Sequence, residues 1–235
     1  MSRLFPERLA VRLSPTQVSV GEKAIACDPG FGAQPWQGAL HAFKSESLPA
    51  ADVTVVLSNH FVRYALVPWS DALAGAAEEE AYLRHHFARI HGERAKSWLL
   101  RSSIDAPGAA RLCSAIDRGL LEELKACFPK GGKARLVSVQ PQLMAVFNRA
   151  RAAIPRSGAW LMLVEADRAC AALHAKGRWQ SVQNARGEWL ALLERERHRA
   201  AGAVPDLVLL DADAAMPAEA PGWKLQRLPH EAAAA

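Results

Sequence analysis

Asp52 to Trp69, DVTVVLSNHFVRYALVPW, is the stretch on which the fold turns. Val53, Val55 and Leu57 form an apolar run, Ser58-Asn59-His60 interrupts it, and Val62 to Val67 resumes it. Two runs rich in β-branched residues joined by a short polar turn predict a pair of adjacent strands. Pro68 ends the second run because it has no N–H for a ladder. Asp71 is placed to cap a helix running on to His91, with Glu78, Glu79 and Glu80 towards its positive end. Leu83, Phe87 and Ile90 recur at helical spacing, so one side of that helix is expected to pack on the sheet.

Working outward, Arg8 to Leu13 alternates, Ser14-Pro15-Thr16 turns it, and Gln17 to Val20 returns. Gly21-Glu22 turns again and Lys23 to Cys27 serves as a third strand. Trp36 to Lys44 reads as a short helix, and Pro49 and Asp52 lead into the apolar strand. The second half repeats the plan. Ala159 to Val164, Ala169 to His174 and Arg178 to Gln183 form a meander, with turns at Glu165–Arg168 and Lys176-Gly177. A helix is expected from Gly187 to Ala200, with Trp189, Leu192 and Leu193 inward, and Pro205 and Asp206 lead into Leu207 to Leu210. From Arg8 to Asp52 is 44 positions, and from Ala159 to Asp206 is 47. A meander, a helix and a Pro- and Asp-led apolar strand, occurring twice, predict two copies of one α/β unit. A fourth strand that is apolar throughout suits a sheet covered on both faces.

Between the copies, Lys96 to Ser102 and part of Ile104 to Asp117 read as strands, Gly119 to Phe128 as a helix, and Ala134 to Val139 as a strand. Pro141 then opens a helix with Leu143, Met144 and Phe147. Pro155-Arg156-Ser157-Gly158 reads as a hinge, giving lobes at 1–155 and 156–235. Met216 to Gly222 reads as a loop and Glu231 to Ala235 as a frayed end.

The 235 residues suffice for one large or two small cores, and 50% hydrophobic with 23% charged residues is ordinary for a globular chain. No apolar stretch approaches the roughly 20 residues that cross a bilayer, and Met1-Ser2-Arg3 does not open a signal peptide, so a cytoplasmic protein is expected. Cys27, Cys113, Cys127 and Cys170 are scattered without a C-x-x-C pair, which reads as buried free thiols and not a zinc site. The net charge of +5 favours an acidic partner or the negative inner face of a membrane. Without a Lys/Arg block, it permits nucleic-acid binding but does not indicate it.

A duplicated three-strand meander is the plan of the actin-like ATPase fold, which is ribonuclease-H-like: α/β, two lobes with mixed sheets. Leu57-Ser58-Asn59-His60-Phe61-Val62-Arg63-Tyr64-Ala65-Leu66-Val67-Pro68-Trp69 resembles the cytoplasmic domain of the L component of type II secretion systems and the related PilM proteins of type IV pilus assembly. Over the rest of the chain the likeness is one of strand order. The resemblance implies a cytoplasmic adaptor, peripheral at the inner membrane. Its partner would be a bitopic inner-membrane assembly protein or an assembly ATPase, and its cleft would hold a short peptide or strand. Nucleotide-binding members carry an Asp-x-Gly phosphate loop between the first two strands. Here that turn is Leu13-Ser14-Pro15-Thr16, the matching turn at Glu165–Arg168 also lacks glycine, and no double glycine lies near Asp211 to Pro217. Cradling phosphate needs converging backbone N–H groups, which glycine permits and proline removes. No cofactor is therefore expected: the fold has lost, or never had, ATP chemistry. An ATP-binding member with atypical loops is the alternative.

The remaining candidates divide between chemistry and plain structure. Glu165 ends a first strand, Asp211 a fourth, and Glu188 starts the helix between. Carboxylates so placed hold two metal ions in ribonuclease-H-like nucleases, a third function, while the plainer reading is strand ends and a favourable first helical turn. Asp211-Ala212-Asp213 alone reads as a turn. His85, His86 and His91 lack the spacing of a zinc protease, and Lys130-Gly131-Gly132-Lys133 lacks the full phosphate-loop pattern. Ser58 and His60, without a nucleophile elbow, read as turn residues that satisfy backbone groups. Glu194 to Arg199 reads as a solvated face with internal ion pairs, or as a surface for an acidic partner. Trp98, Trp160 and Trp189 fall on core patterns, whereas Trp36, Trp69, Trp179 and Trp223 lie at ends or edges, where aromatics anchor partner chains.

Overall fold

The computed structural model of the protein describes residues 7–73, 75–103, 107–200, 204–212 and 220–229. The loop expected at Met216 to Gly222 falls mostly, and the frayed end from Glu231 wholly, outside them. Among the described residues no helix is long and apolar enough to cross a membrane.

Two five-stranded sheets carry the repeat. In the first, β1 (Glu7–Leu13) pairs antiparallel with β2 (Gln17–Val20), and β2 with β3 (Lys23–Ala26). Helix α1 (Gln37–Lys44) then carries the chain back to β4 (Ala51–Leu57), which lies parallel to β1 from Glu7↔Ala51 to Leu13↔Leu57. The order is β3-β2-β1-β4-β8, where β8 is Arg135–Pro141. In the second sheet β9 (Ala159–Glu165), β10 (Arg168–Ala175) and β11 (Arg178–Arg186) form the meander. Helix α5 (Trp189–Arg199) returns to β12 (Leu207–Ala212), parallel to β9, and β13 (Lys224–Arg227) joins it, giving the order β11-β10-β9-β12-β13. The expected duplication is present, strand for strand.

The first sheet's β4 alternates buried Ala51, Val53, Val55 and Leu57 with half-buried residues. On β12, Val208, Leu209, Leu210 and Asp211 are buried in succession, as a strand covered on both faces requires. Trp160, Met162, Leu173, Trp189, Leu192, Leu193, Val208 and Leu210 form one packed cluster, so α5 presses on one face of this sheet. Each fully buried Leu in such a cluster stabilises the fold by roughly 1.5–3 kcal/mol.

The second strand of the opening stretch, β5 (Val62–Val67), does not pair with β4 as its proximity in sequence predicts. It belongs to a three-stranded sheet, β5-β7-β6, with β6 (Trp98–Ser102) and β7 (Arg111–Asp117). The reason is occupancy: β4 has β1 on one edge and β8 on the other, so neither row of its hydrogen-bonding groups is left for β5. Helix α2 (Ala76–His91) packs on this small sheet through Phe87, which is fully buried with Ala65, Val67, Leu100, Cys113 and Ala115, while Leu83 is partly buried. Ile90 is 57% exposed, contrary to its place in the helical pattern. The helix also starts later than expected. Gly75 occupies the N-cap, and Asp71 instead accepts a hydrogen bond of 2.6 Å from Trp69 Nε1.

Two further helices complete the chain. Helix α3 (Arg118–Ala126) is capped by Asp117, whose Oδ1 accepts from Gly119 N at 2.8 Å, and α4 (Gln142–Ala150) follows β8. The compact units are not 1–155 and 156–235. Among the described residues, one takes those up to Val62 with Asp117–Ala145, and the other takes Arg63–Ile116 with those from Val146 onward. The chain leaves the first unit after β4 and returns at α3 because β8 must reach the free edge of β4. Pro155–Gly158 accordingly lies inside the second unit and is a turn, with Gly158 N donating to Pro155 O at 2.9 Å.

Gly158 is fixed there twice over. Its φ is +104°, and a Cβ at this position would lie 2.4 Å from Ala175 Cβ. Gly158→Ala is expected to cost about 2–4 kcal/mol through strain and overpacking, read as a lower urea midpoint at unchanged slope. A midpoint equal to wild type would contradict this packing.

Candidate functional site

The turns at the ends of β1 and β9 are the ones that correspond to the phosphate loop expected of nucleotide-binding members of the resembled family. In the first, Ser14 N and Ser14 Oγ both donate to Gln17 O at 2.9 Å, and Gln17 N donates to Ser14 Oγ at 3.0 Å. Pro15 has no amide hydrogen. The amides of Ser14 and Gln17 are thus turned on the turn itself and that of Pro15 is missing, which leaves no run of consecutive N–H groups to converge on an anion.

The second turn, between Glu165 and Arg168, presents carboxylate instead. Asp167 O accepts from Gly187 N at 3.3 Å, and Asp167 Oδ2 lies 3.3 Å from Arg186 Nε. Glu165 is buried beside it. Arg168 Nη1 donates to Asn184 Oδ1 at 3.3 Å. Burial first, and then the fields of Arg168 and Arg186, hold the Arg63 guanidinium below its usual pKa. This gathering of Arg63 with Arg168 and Arg186 is not legible in the sequence, since Arg63 lies more than 100 positions from the other two. The faint signal is a charged residue in the otherwise mostly apolar strand Val62 to Val67.

The three carboxylates nominated for metal take their expected positions, Glu165 ending β9, Asp211 near the end of β12 and Glu188 at the N-cap of α5. Their surroundings differ. Asp211 is buried with Arg149 Nη2 at 3.7 Å from Oδ1, Glu165 is buried, and Glu188 is exposed. Among the described residues no group of three His, Cys, Asp or Glu side chains comes together to hold a metal ion. Asp213 lies outside the described residues.

Three of the four tryptophans proposed as partner anchors are buried. Trp36 is 6% exposed and donates from Nε1 to Glu123 Oε1 at 3.1 Å, tying the start of α1 to α3. Trp179, 5% exposed, packs on Phe147 and His174 at ring distances of 4.6 and 5.1 Å. Trp223, 7% exposed, donates to Glu194 and lies under Arg197. Sequence ends and strand edges proved a poor guide because a helix or a neighbouring turn covers each of them. Trp69 is half-buried, with the Arg111 guanidinium 4.6 Å above its ring and Arg111 held by Glu79 at 2.9 Å. The face at Glu194–Arg199 is likewise not wholly solvated. Glu196 is buried, accepting from Ser181 Oγ and Arg199 Nη1 at 3.0 Å each.

Ser58 and His60 form a closed turn. Ser58 Oγ accepts from His60 N at 3.1 Å and shares a hydrogen bond with His60 Nδ1 at 2.9 Å, while Ser58 O accepts from Phe61 N at 3.0 Å. Burial raises the pKa of the Cys170 thiol far above its ordinary value, so it supplies no thiolate.

The architecture is the actin-like ATPase fold. Among solved structures, the chain is similar to the cytoplasmic domain of EpsL, an inner-membrane component of the type II secretion system of Vibrio cholerae, at 18% identity and TM-score 0.57, covering 94% of this chain and 89% of that one. It is similar to the PilM–PilN type IV pilus biogenesis complex at 14% identity and TM-score 0.59, covering 88% and 81%. A Bacteroides thetaiotaomicron protein with an actin-like ATPase fold matches at 13% identity and TM-score 0.53, covering 89% and 82%. These include the two groups that the Leu57–Trp69 stretch resembles. No protein-family model matches the chain, and no curated protein matches it by sequence.

Ser58→Ala is expected to lower stability by about 1–2 kcal/mol, because the buried turn loses its acceptor. Hydrolysis of an activated ester should stay at the buffer rate for both proteins. Ester cleavage that the substitution abolishes would make Ser58 a nucleophile after all.

Proposed function

We propose that the chain is a non-enzymatic adaptor of a pilus- or secretion-type assembly, working on the cytoplasmic side of the inner membrane. Its partner is a membrane-anchored assembly protein, with an assembly ATPase as a second candidate. The observation that carries this reading is the chemistry of the two strand-end turns, one closed on itself around Pro15 and the other lined by Glu165 and Asp167. An actin-like fold without a phosphate cradle keeps its surfaces and loses its fuel. Support also comes from the two similar structures that are parts of secretion and pilus machines, one of them a complex of PilM with PilN.

One observation favours the competing reading, an ATP-binding member with atypical loops. Arg63, Arg168 and Arg186 bring positive charge close to the second turn. Thermal unfolding separates the two. A nucleotide present at 100 times its dissociation constant adds about 2.7 kcal/mol and raises the midpoint visibly. The adaptor reading predicts an unchanged midpoint with millimolar Mg-ATP or Mg-ADP. It also predicts co-purification with a membrane-anchored assembly protein encoded beside it. A nucleotide-dependent rise would transfer the function to the ATP-binding reading.

A further inference from the structure

The two ends of the second sheet differ in how their charges are met: at one, Arg186 stands 3.3 Å from Asp167 and Arg149 3.7 Å from Asp211, so acid and base answer each other. Glu165, Asp167, Glu188 and Asp211 lie towards the edge at which the parallel strands β9 and β12 end. The opposite rim is basic. There β9 starts at Ala159, β10 ends at Ala175 and β11 starts at Arg178, so residues 155–158 and 176–177 share one end of the sheet. The close approach of Gly158 to Ala175 sets these two turns side by side.

Arg156 and Lys176 lie on these turns and Arg178 opens β11 beside them, all exposed, and Arg151 is exposed in the short 3-10 turn that leads into them. Among the described residues none of the four makes an ion pair. Residues 150–158 and 174–180 contain no Asp or Glu. Three acids approach this end and each is already held: Asp206 by Lys224 at 2.9 Å, Glu196 by Ser181 and Arg199 at 3.0 Å each, and Glu194 by Trp223 Nε1. Lys176 also occupies a demanding position. It has φ +54° and Gly177 φ +73°, the two-residue turn for which Asn-Gly is the favoured pair. A lysine there keeps a charge at the tip where asparagine would fit with less strain.

We propose that this rim docks the second unit directly on an anionic lipid surface. Arg156 and Lys176 stand on adjacent turns with Arg178 at the strand start beside them, and the neighbouring aromatic, Trp179, is buried against Phe147 and His174 and unavailable to a peptide side chain. Exposed charge without an ion-pair partner suits a diffuse negative plane better than an extended chain. Attraction to such a plane falls off within about 8 Å at physiological salt, so charges on one rim act together. The proposal stands apart from the adaptor reading, because lipid alone tests it.

The test is sedimentation of the full chain with phosphatidylcholine vesicles, with and without phosphatidylglycerol. Wild type should bind only the anionic vesicles and release with salt. Arg156→Gln, Lys176→Asn and Arg178→Gln together should weaken binding roughly 100-fold. The asparagine suits its turn, and a wild-type unfolding midpoint certifies the fold. Lys125→Gln, Lys130→Gln and Lys133→Gln, which change net charge equally in the other unit, should weaken it far less. Equal losses in both triple variants would reduce the effect to net charge and overturn the proposal. Failure of wild type to bind anionic vesicles at low salt would overturn it too, and binding of polyglutamate lost only in the rim variant would then assign the rim to an acidic protein.

Discussion

Each five-stranded sheet depends on one parallel pair, β1 with β4 and β9 with β12. A hairpin cannot close a parallel pair, so the chain must leave the sheet and come back, and here a meander and a helix make the return. Once a third parallel strand joins, β8 in one sheet and β13 in the other, both edges of the fourth strand are used. Much of the rest follows. β5 is expelled into the small sheet it shares with β7 and β6, and α2 has that sheet to cover. The copies differ chiefly in how they reach the third parallel strand. The first spends residues 58–134 on it, including a whole sheet and two helices, and the second only residues 213–223.

This explains what could be read from the sequence. Alternation in Arg8 to Leu13, the Ser-Pro-Thr and Lys-Gly turns, and the apolar run at Leu207 are local signals, and the elements they mark form nearly where expected. The doubled order of elements carries the topology. Pairing between β4 and β5 failed because edge occupancy is decided by Arg135 to Pro141, some 70 positions later. The division into lobes failed for the same reason. Ile90 follows its helix's periodicity, yet the sheet beneath is only three strands wide and Phe87 already fills its cover.

The candidate site was less legible. Positions of Glu165, Glu188 and Asp211 along their elements were read correctly, but distance and burial separate a ligand set from three unrelated carboxylates, and neither is local. The tryptophans show the same limit. Trp36 is secured by Glu123, 87 positions away. What the sequence could show was chemical unfitness at one place. Proline at position 15 removes a donor in any conformation, and the structure adds that Ser14 and Gln17 bind each other.

The central claim is that these turns do not receive phosphate. An amide-resolved NMR titration of the full chain with Mg-ATP watches the N–H groups of Ser14, Gln17 and Arg168 directly. The account predicts shifts no larger than those produced by equal ionic strength of salt. Saturable shifts at Ser14 and Gln17, with their mutual hydrogen bonds opened, would contradict it.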